Sequence, residues 1–124
     1  MVFSWIIGNA DMHLKNFSLY SPRTAQYVLS PTYDQVSTKI VMPEDTEEMV
    51  LSLNGFKKKL LVHDFREAMY STDITKVVTN RILSDFSKFR DNWFACIDSS
   101  FISDDQKQSY KALIDRRLDV LARE

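Results

Sequence analysis

Cysteine, glycine, histidine and long apolar runs are all scarce in this 124-residue chain, and each shortage closes off a class of explanation. The single cysteine, Cys96, can form neither an internal disulfide nor a cysteine-based metal site. No apolar run approaches the roughly 18 residues that a membrane helix needs, and no charged start followed by an apolar stretch suggests secretion. A soluble protein in a reducing cytoplasm is expected, with no membrane contact. The only glycines, Gly8 and Gly55, do not lie in a glycine-rich phosphate cradle. The two histidines, His13 and His63, stand in separate contexts without HExxH spacing. Charge of one sign is missing too: 16 Lys and Arg face 17 Asp and Glu, for a net charge of −1. Without a global field of either sign, direct nucleic-acid binding is not expected.

Apolar and aromatic mass is what the chain has in plenty. Hydrophobic residues make up 44%, with eight Phe, five Tyr and two Trp, far above the composition of a disordered segment. The length fits one small domain with one core. Val2, Phe3, Trp5, Ile6 and Ile7 form an apolar cluster with no cap or charged first turn before it, as though a longer buried element had been cut. FSLYS (17–21) and QYVLS (26–30) alternate well enough to pair as a hairpin across Ser21–Ala25, and Pro31 stops the second strand's ladder. Asp34 is therefore placed just beyond a strand's end. MVLSL (49–53) reads as a strand or extended segment that ends at the Asn54-Gly55 turn. From residue 60 the period becomes helical. A short helix is expected over 64–70, with Phe65, Ala68 and Met69 on one face. A long one follows, capped by Thr72 or Asp73, with Ile74, Val78, Ile82, Phe86, Phe89, Trp93 and Ile97 as its core stripe. Cys96 is expected as a buried thiol beside that stripe. Ser103 and Gln106 spell a capping box for a last helix that carries Tyr110, Leu113, Ile114, Leu118 and Leu121.

The chemistry-bearing residues crowd into GNADMHLKNFSLY (8–20). Asp11 and Asn16 have the D-x-x-x-x-N spacing with which kinase catalytic loops place a base near a hydroxyl and an amide oxygen near a metal ion. A short hairpin and then a second acid, Asp34, follow in the order that arrangement requires. Phosphoryl transfer needs a carboxylate within reach of the hydroxyl and hard oxygen ligands for Mg²⁺, and these three side chains supply the right atoms. Lys15 could neutralise charge on the transferred group. His13 reads better as a brace of the loop than as a metal ligand, although a metal-dependent hydrolysis by Asp11 and His13 is a distant third reading. Lys57, Lys58 and Lys59 read as a solvated charge run after a turn.

GNADMHLKNFSLY followed by LSPTYDQVST resembles the C-terminal signature of HipA-like serine/threonine kinases, the toxin halves of bacterial toxin–antitoxin modules. Their catalytic loop has the form GN-x-D-x-H-x-KN and their metal-binding acid lies in YD-x-x-ST. LSLNGFKKKL and the helix at HDFREAM are similar to what that family has next. The resemblance implies a mainly α fold: the helical C-terminal lobe of a kinase, with a short β-hairpin beside the catalytic loop. Residues 1–38 would carry the loop, hairpin and metal-binding segment, and 60–124 the helical bundle. Asp11 would be the catalytic base, Asn16 and Asp34 the metal ligands, and ATP with Mg²⁺ the cofactors. The family's nucleotide-covering N-terminal lobe has no counterpart here, so the chain is expected to be a C-terminal fragment that binds ATP weakly and is inactive alone. The partners implied are that missing lobe, a protein substrate and an antitoxin-like DNA-binding protein. Self-association through apolar surface left around Phe3 and Trp5 is a further expectation. The alternative is a degenerate lobe that only docks a partner.

Overall fold

The computed structural model describes residues 1–123. The fold is mainly α, with one two-stranded antiparallel sheet. In chain order the elements are α1 (Val2–Ile6), β1 (Leu19–Arg23), β2 (Gln26–Leu29), α2 (Thr38–Val41), α3 (Val62–Tyr70), α4 (Lys76–Ser87), α5 (Arg90–Asp98) and α6 (Asp104–Ala122). Helix α6 is the axis on which α1 to α5 all pack. Its N-terminus carries the expected capping box: Gln106 N–H donates to Ser103 Oγ at 3.3 Å and Ser103 N–H to Gln106 Oε1 at 3.2 Å. Leu113, Ile114, Leu118 and Leu121 line its buried face.

The apolar N-terminal cluster forms the short helix α1, and the core begins there. Trp5 and Ile6 are buried against Phe65, with the Trp5 and Phe65 rings 4.8 Å apart. The expectation of exposed apolar surface at Trp5 is thus corrected: the ring lies inside, and Phe3 is partly covered by the edge of Trp93 at 5.7 Å. Helix α1 closes in a Schellman motif, with Gly8 N–H donating to Trp5 O and Asn9 N–H to Ser4 O. Gly8 takes the left-handed conformation at φ +80° that such a closure requires.

The hairpin is tighter than expected. Its turn is Thr24-Ala25, and Pro22 sits inside β1 where the register shifts between Tyr20 and Arg23, which spares the ladder the N–H that proline lacks. Residues 49–53 form no strand. Met49 and Leu53 are buried anchors of an irregular segment, and only Leu53 and Phe56 bridge, around an Asn54-Gly55 turn with both residues at positive φ.

The single long helix after residue 72 is replaced by two. Asp73, in the left-handed conformation, closes α3 in a second Schellman motif, so the cap of α4 is Thr75, whose side chain accepts from Val78 N–H. At residues 88–89 the hydrogen bonding tightens to i→i−3, and α5 starts afresh beyond. At the break the Phe86 and Phe89 rings both lie against Trp93, at 6.4 and 6.3 Å. The break also shifts the buried line of α4 to Thr79 and Leu83, leaving Val78 and Phe89 exposed. Cys96, expected to be buried, is exposed at the rim of an apolar cavity of about 370 Å³ between α1, α5 and α6. Arg90 ties α5 to α6 by a bidentate pair with Asp115, at 2.5 and 3.0 Å.

Gly8 is the tightest joint. A Cβ there would lie 2.7 Å from Leu113 Cδ2 and 2.9 Å from Ser37 Oγ. Gly8→Ala is expected to lower unfolding stability by about 1–3 kcal/mol, through left-handed strain and overpacking together. Denaturant unfolding monitored by Trp fluorescence measures this, and an unchanged midpoint would contradict it.

Candidate functional site

Loop 9–16 leaves the end of α1 and is held by the segment that follows the hairpin. Gly8 O accepts from Thr38 Oγ1–H at 3.0 Å and from Lys39 N–H at 3.2 Å, while Ala10 N–H donates to Thr38 Oγ1 at 2.9 Å. Ser4 Oγ–H donates to Gln35 Oε1 at 3.1 Å, and Tyr33 O–H to Lys15 O at 2.9 Å. Two stretches far apart in sequence are thereby laced into one unit.

Asn9 is the centre of that lacing. Its side chain is buried, with Nδ2 donating to Asp34 O at 3.1 Å and Oδ1 accepting from Asp11 N–H at 3.1 Å. A buried amide left without such partners would cost about 1–3 kcal/mol. Sequence reasoning assigned Asn9 no role. The available signal was an Asn two residues before Asp11, the spacing of an Asx turn.

Asn16 closes a 3₁₀ turn, Leu14–Asn16, and is buried. Its Oδ1 accepts from His13 N–H at 3.2 Å, and its Nδ2 donates to Asp34 Oδ2 at 2.8 Å. Asp34 itself is exposed and holds a left-handed backbone at φ +56°, a conformation that Asp tolerates better than most residues. Its Oδ1 accepts no hydrogen bond among the described residues. The free Asp34 Oδ1 suits a hard cation such as Mg²⁺, which takes one or two protein oxygens and leaves its other positions to water or phosphate. The Asn16 group beside it is the NH₂ donor, so Asn16 could add only the second lone pair of Oδ1, whose first accepts from His13 N–H. Among the described residues no group of three His, Cys, Asp or Glu stands close enough to hold a metal ion by protein ligands alone.

Asp11 is set apart from this pair. Its carboxylate is largely solvent-exposed, 3.9 Å from His13 Nε2, and lines a shallow depression with Thr38, Asp45 and Glu47. The structure brings Asn16 and Asp34 into direct contact, and connects Asp11 to Asp34 through Asn9. Lys15 is exposed, and its ammonium pairs with no acid among the described residues; only its carbonyl is engaged. His13 lies partly buried, with Nδ1 unpartnered.

A model of the HipA-like C-terminal domain matches residues 1–93, and the loop and both of its partner segments fall inside that match. The chain belongs to the HipA-like C-terminal domain family. A Sinorhizobium fredii protein named "Putative kinase Y4dM" is 37% identical over 100 residues, 77% of this chain and 24% of that protein. A Haemophilus influenzae protein named "Putative kinase" is 29% identical over 92 residues, 74% of this chain and 25% of that protein. This HipA-like domain thus spans about a quarter of the length of either relative.

Removing the central amide tests the lacing. Asn9→Ala is expected to destabilise the domain by about 1–3 kcal/mol, because Asp34 O and Asp11 N–H both lose a buried partner. The Asp11 amide should then exchange hydrogen faster than those of α6. Equal protection in the variant and the parent would show that the loop does not depend on Asn9.

Proposed function

We propose that this HipA-like domain is the catalytic-lobe part of a Ser/Thr protein kinase, transferring phosphate from ATP-Mg²⁺ to a protein hydroxyl once a nucleotide-binding lobe completes it. The observation that supports the reading is the 2.8 Å contact between Asn16 and Asp34, with Asp11 tethered to the same segment through Asn9. In this reading Asp34 would hold a metal through Oδ1, and Asn16 through the Oδ1 lone pair not taken by His13 N–H; the metal would neutralise and orient the phosphates. Asp11 takes the hydroxyl proton, and its exposure leaves it reachable by a protein substrate. Lys15, on the same loop and with an ammonium that pairs with no acid among the described residues, offsets charge on the transferred group. Positioning provides most of the catalysis in phosphoryl transfer, so the domain alone is expected to be inactive and to hold ATP weakly.

A docking role is the second reading. It is favoured by the hairpin, where Leu19, Tyr27 and Leu29 are each more than 60% exposed. The partner in that case is a protein, of which an antitoxin-like DNA-binding protein is one kind.

Combining the domain with an upstream lobe from such a relative and measuring ATP-dependent phosphorylation separates the two. Asp11→Ala is expected to lower the rate by about 10²–10⁴-fold, the usual contribution of a general base. Asp34→Ala should abolish Mg²⁺-dependent activity. Phosphorylation indifferent to both changes would end the kinase assignment; partner binding that survives them, with no nucleotide affinity in the combined protein, would favour docking.

A further inference from the structure

A cleft of about 440 Å³ opens between α1, the segment around residues 46–61 and α6, and none of Asp11, Asn16 and Asp34 lines it. Its most unusual occupant is Arg117 of α6, only 6% exposed. The guanidinium lies over the Trp5 ring, 4.9 Å from its centroid. Among the described residues it forms no ion pair, and its Nη1 is buried without a hydrogen-bond partner. The acid nearest in effect is Glu48, whose oxygens are already committed: Oε2 accepts from Trp5 Nε1–H at 2.8 Å and Leu60 N–H at 3.4 Å, and Oε1 from Lys59 N–H at 2.8 Å. Burial pushes Arg117 down to about 10, still cationic at neutral pH.

A buried cation short of its hydrogen bonds is costly unless something else satisfies it. Lys39, Lys59 and Arg116 line the same cleft, so among the described residues four cations face one acid, Glu48. Lys39 is already spoken for, since its ammonium donates to Asp45 O. Apart from Thr46, the rest of the wall is apolar, formed by Trp5, Leu113 and Val120 among others.

We propose that this cleft is a binding site for a small molecule with an oxyanion head, carboxylate or phosphate, and an apolar body. Arg117 lines the cleft and offers its charge and the N–H groups other than the sealed Nη1 to either head, the exposed Lys59 and Arg116 add charge beside it, and the body lies along Trp5, Leu113 and Val120. The volume falls within the range of small-molecule pockets.

The test is titration of the whole chain, followed by the NMR signal of the Trp5 indole N–H, with four probes: benzoate, phenyl phosphate, inorganic phosphate and benzylamine. Benzoate or phenyl phosphate is expected to shift that signal saturably, and the tighter of the two identifies the head group. Benzylamine should not bind, and inorganic phosphate should bind more weakly than phenyl phosphate. Arg117→Met is expected to weaken binding about tenfold or more. Should that variant fail to fold, the double change Lys59→Gln with Arg116→Gln, at exposed positions, carries the same expectation. The proposal is overturned if neither organic anion gives a saturable shift, if benzylamine binds equally well, or if the folded variants bind as tightly as the parent. Inorganic phosphate binding as tightly as phenyl phosphate would overturn the assignment of an apolar body.

Discussion

A single buried amide, the side chain of Asn9, is what the candidate site rests on. Sealed from water, it must satisfy both ends within the protein, and it does so by gripping the Asp34 carbonyl with one end and the Asp11 amide with the other. Residues 9 and 34 are separated by the whole hairpin, so each contact has to repay the entropy of closing that loop. One hydrogen bond would repay little of it. The lacing of Gly8, Ala10 and Asn16 to Thr38, Lys39 and Asp34 makes the closure cooperative, because each bond is cheaper once the others have fixed the chain.

That lacing is anchored in the core through α1. Trp5 is buried between Phe65 and Arg117, its indole N–H is held by Glu48, and the same short helix ends three residues later at Gly8. Even a single added carbon on Gly8 would collide with Leu113 and Ser37, so the chain passes from α1 into the loop at a point closely packed against α6. The position of the polar loop is therefore set by apolar packing, the most rigid material available in a domain this small.

Much of this was legible in the sequence, and the parts that were not have physical causes. The Asp11, Asn16 and Asp34 spacing, the hairpin and the capping box at Ser103 are local patterns, and local patterns survive folding. The break at residues 88–89 left no mark, since neither proline nor glycine stands there and the apolar period runs on through it. Tertiary packing of Phe86 and Phe89 about Trp93 goes with two helices where periodicity reads one. Cys96 was misplaced for the same reason, because the turn between α4 and α5 rotates the face on which it sits. Thr75 was overlooked as the cap because Asp73, which looks like a cap, is used instead to end the preceding helix with a left-handed residue. Half of the role of Asn9, its Asx turn to Asp11, left a local signal; the other half could not be read, since its partner Asp34 O belongs to backbone whose position only the folded chain defines.

The site's own asymmetry follows from the same logic. Asn16 is buried and spends both of its amide ends on protein partners, whereas Asp11 and Asp34 turn their carboxylates to solvent. A group that must hold another in place gains from burial, where competing water is excluded and a hydrogen bond is stronger. A group that must meet a substrate or an ion has to stay open. In the proposed reading Asp34 serves both needs at once: Oδ2 is pinned by Asn16 while Oδ1 stays available, so the carboxylate is oriented before any cation arrives. Its left-handed backbone is the cost of that placement. An ordinary extended residue there would carry the chain in another direction, and the contact on which Asn16, Asn9 and the hairpin all converge could not form.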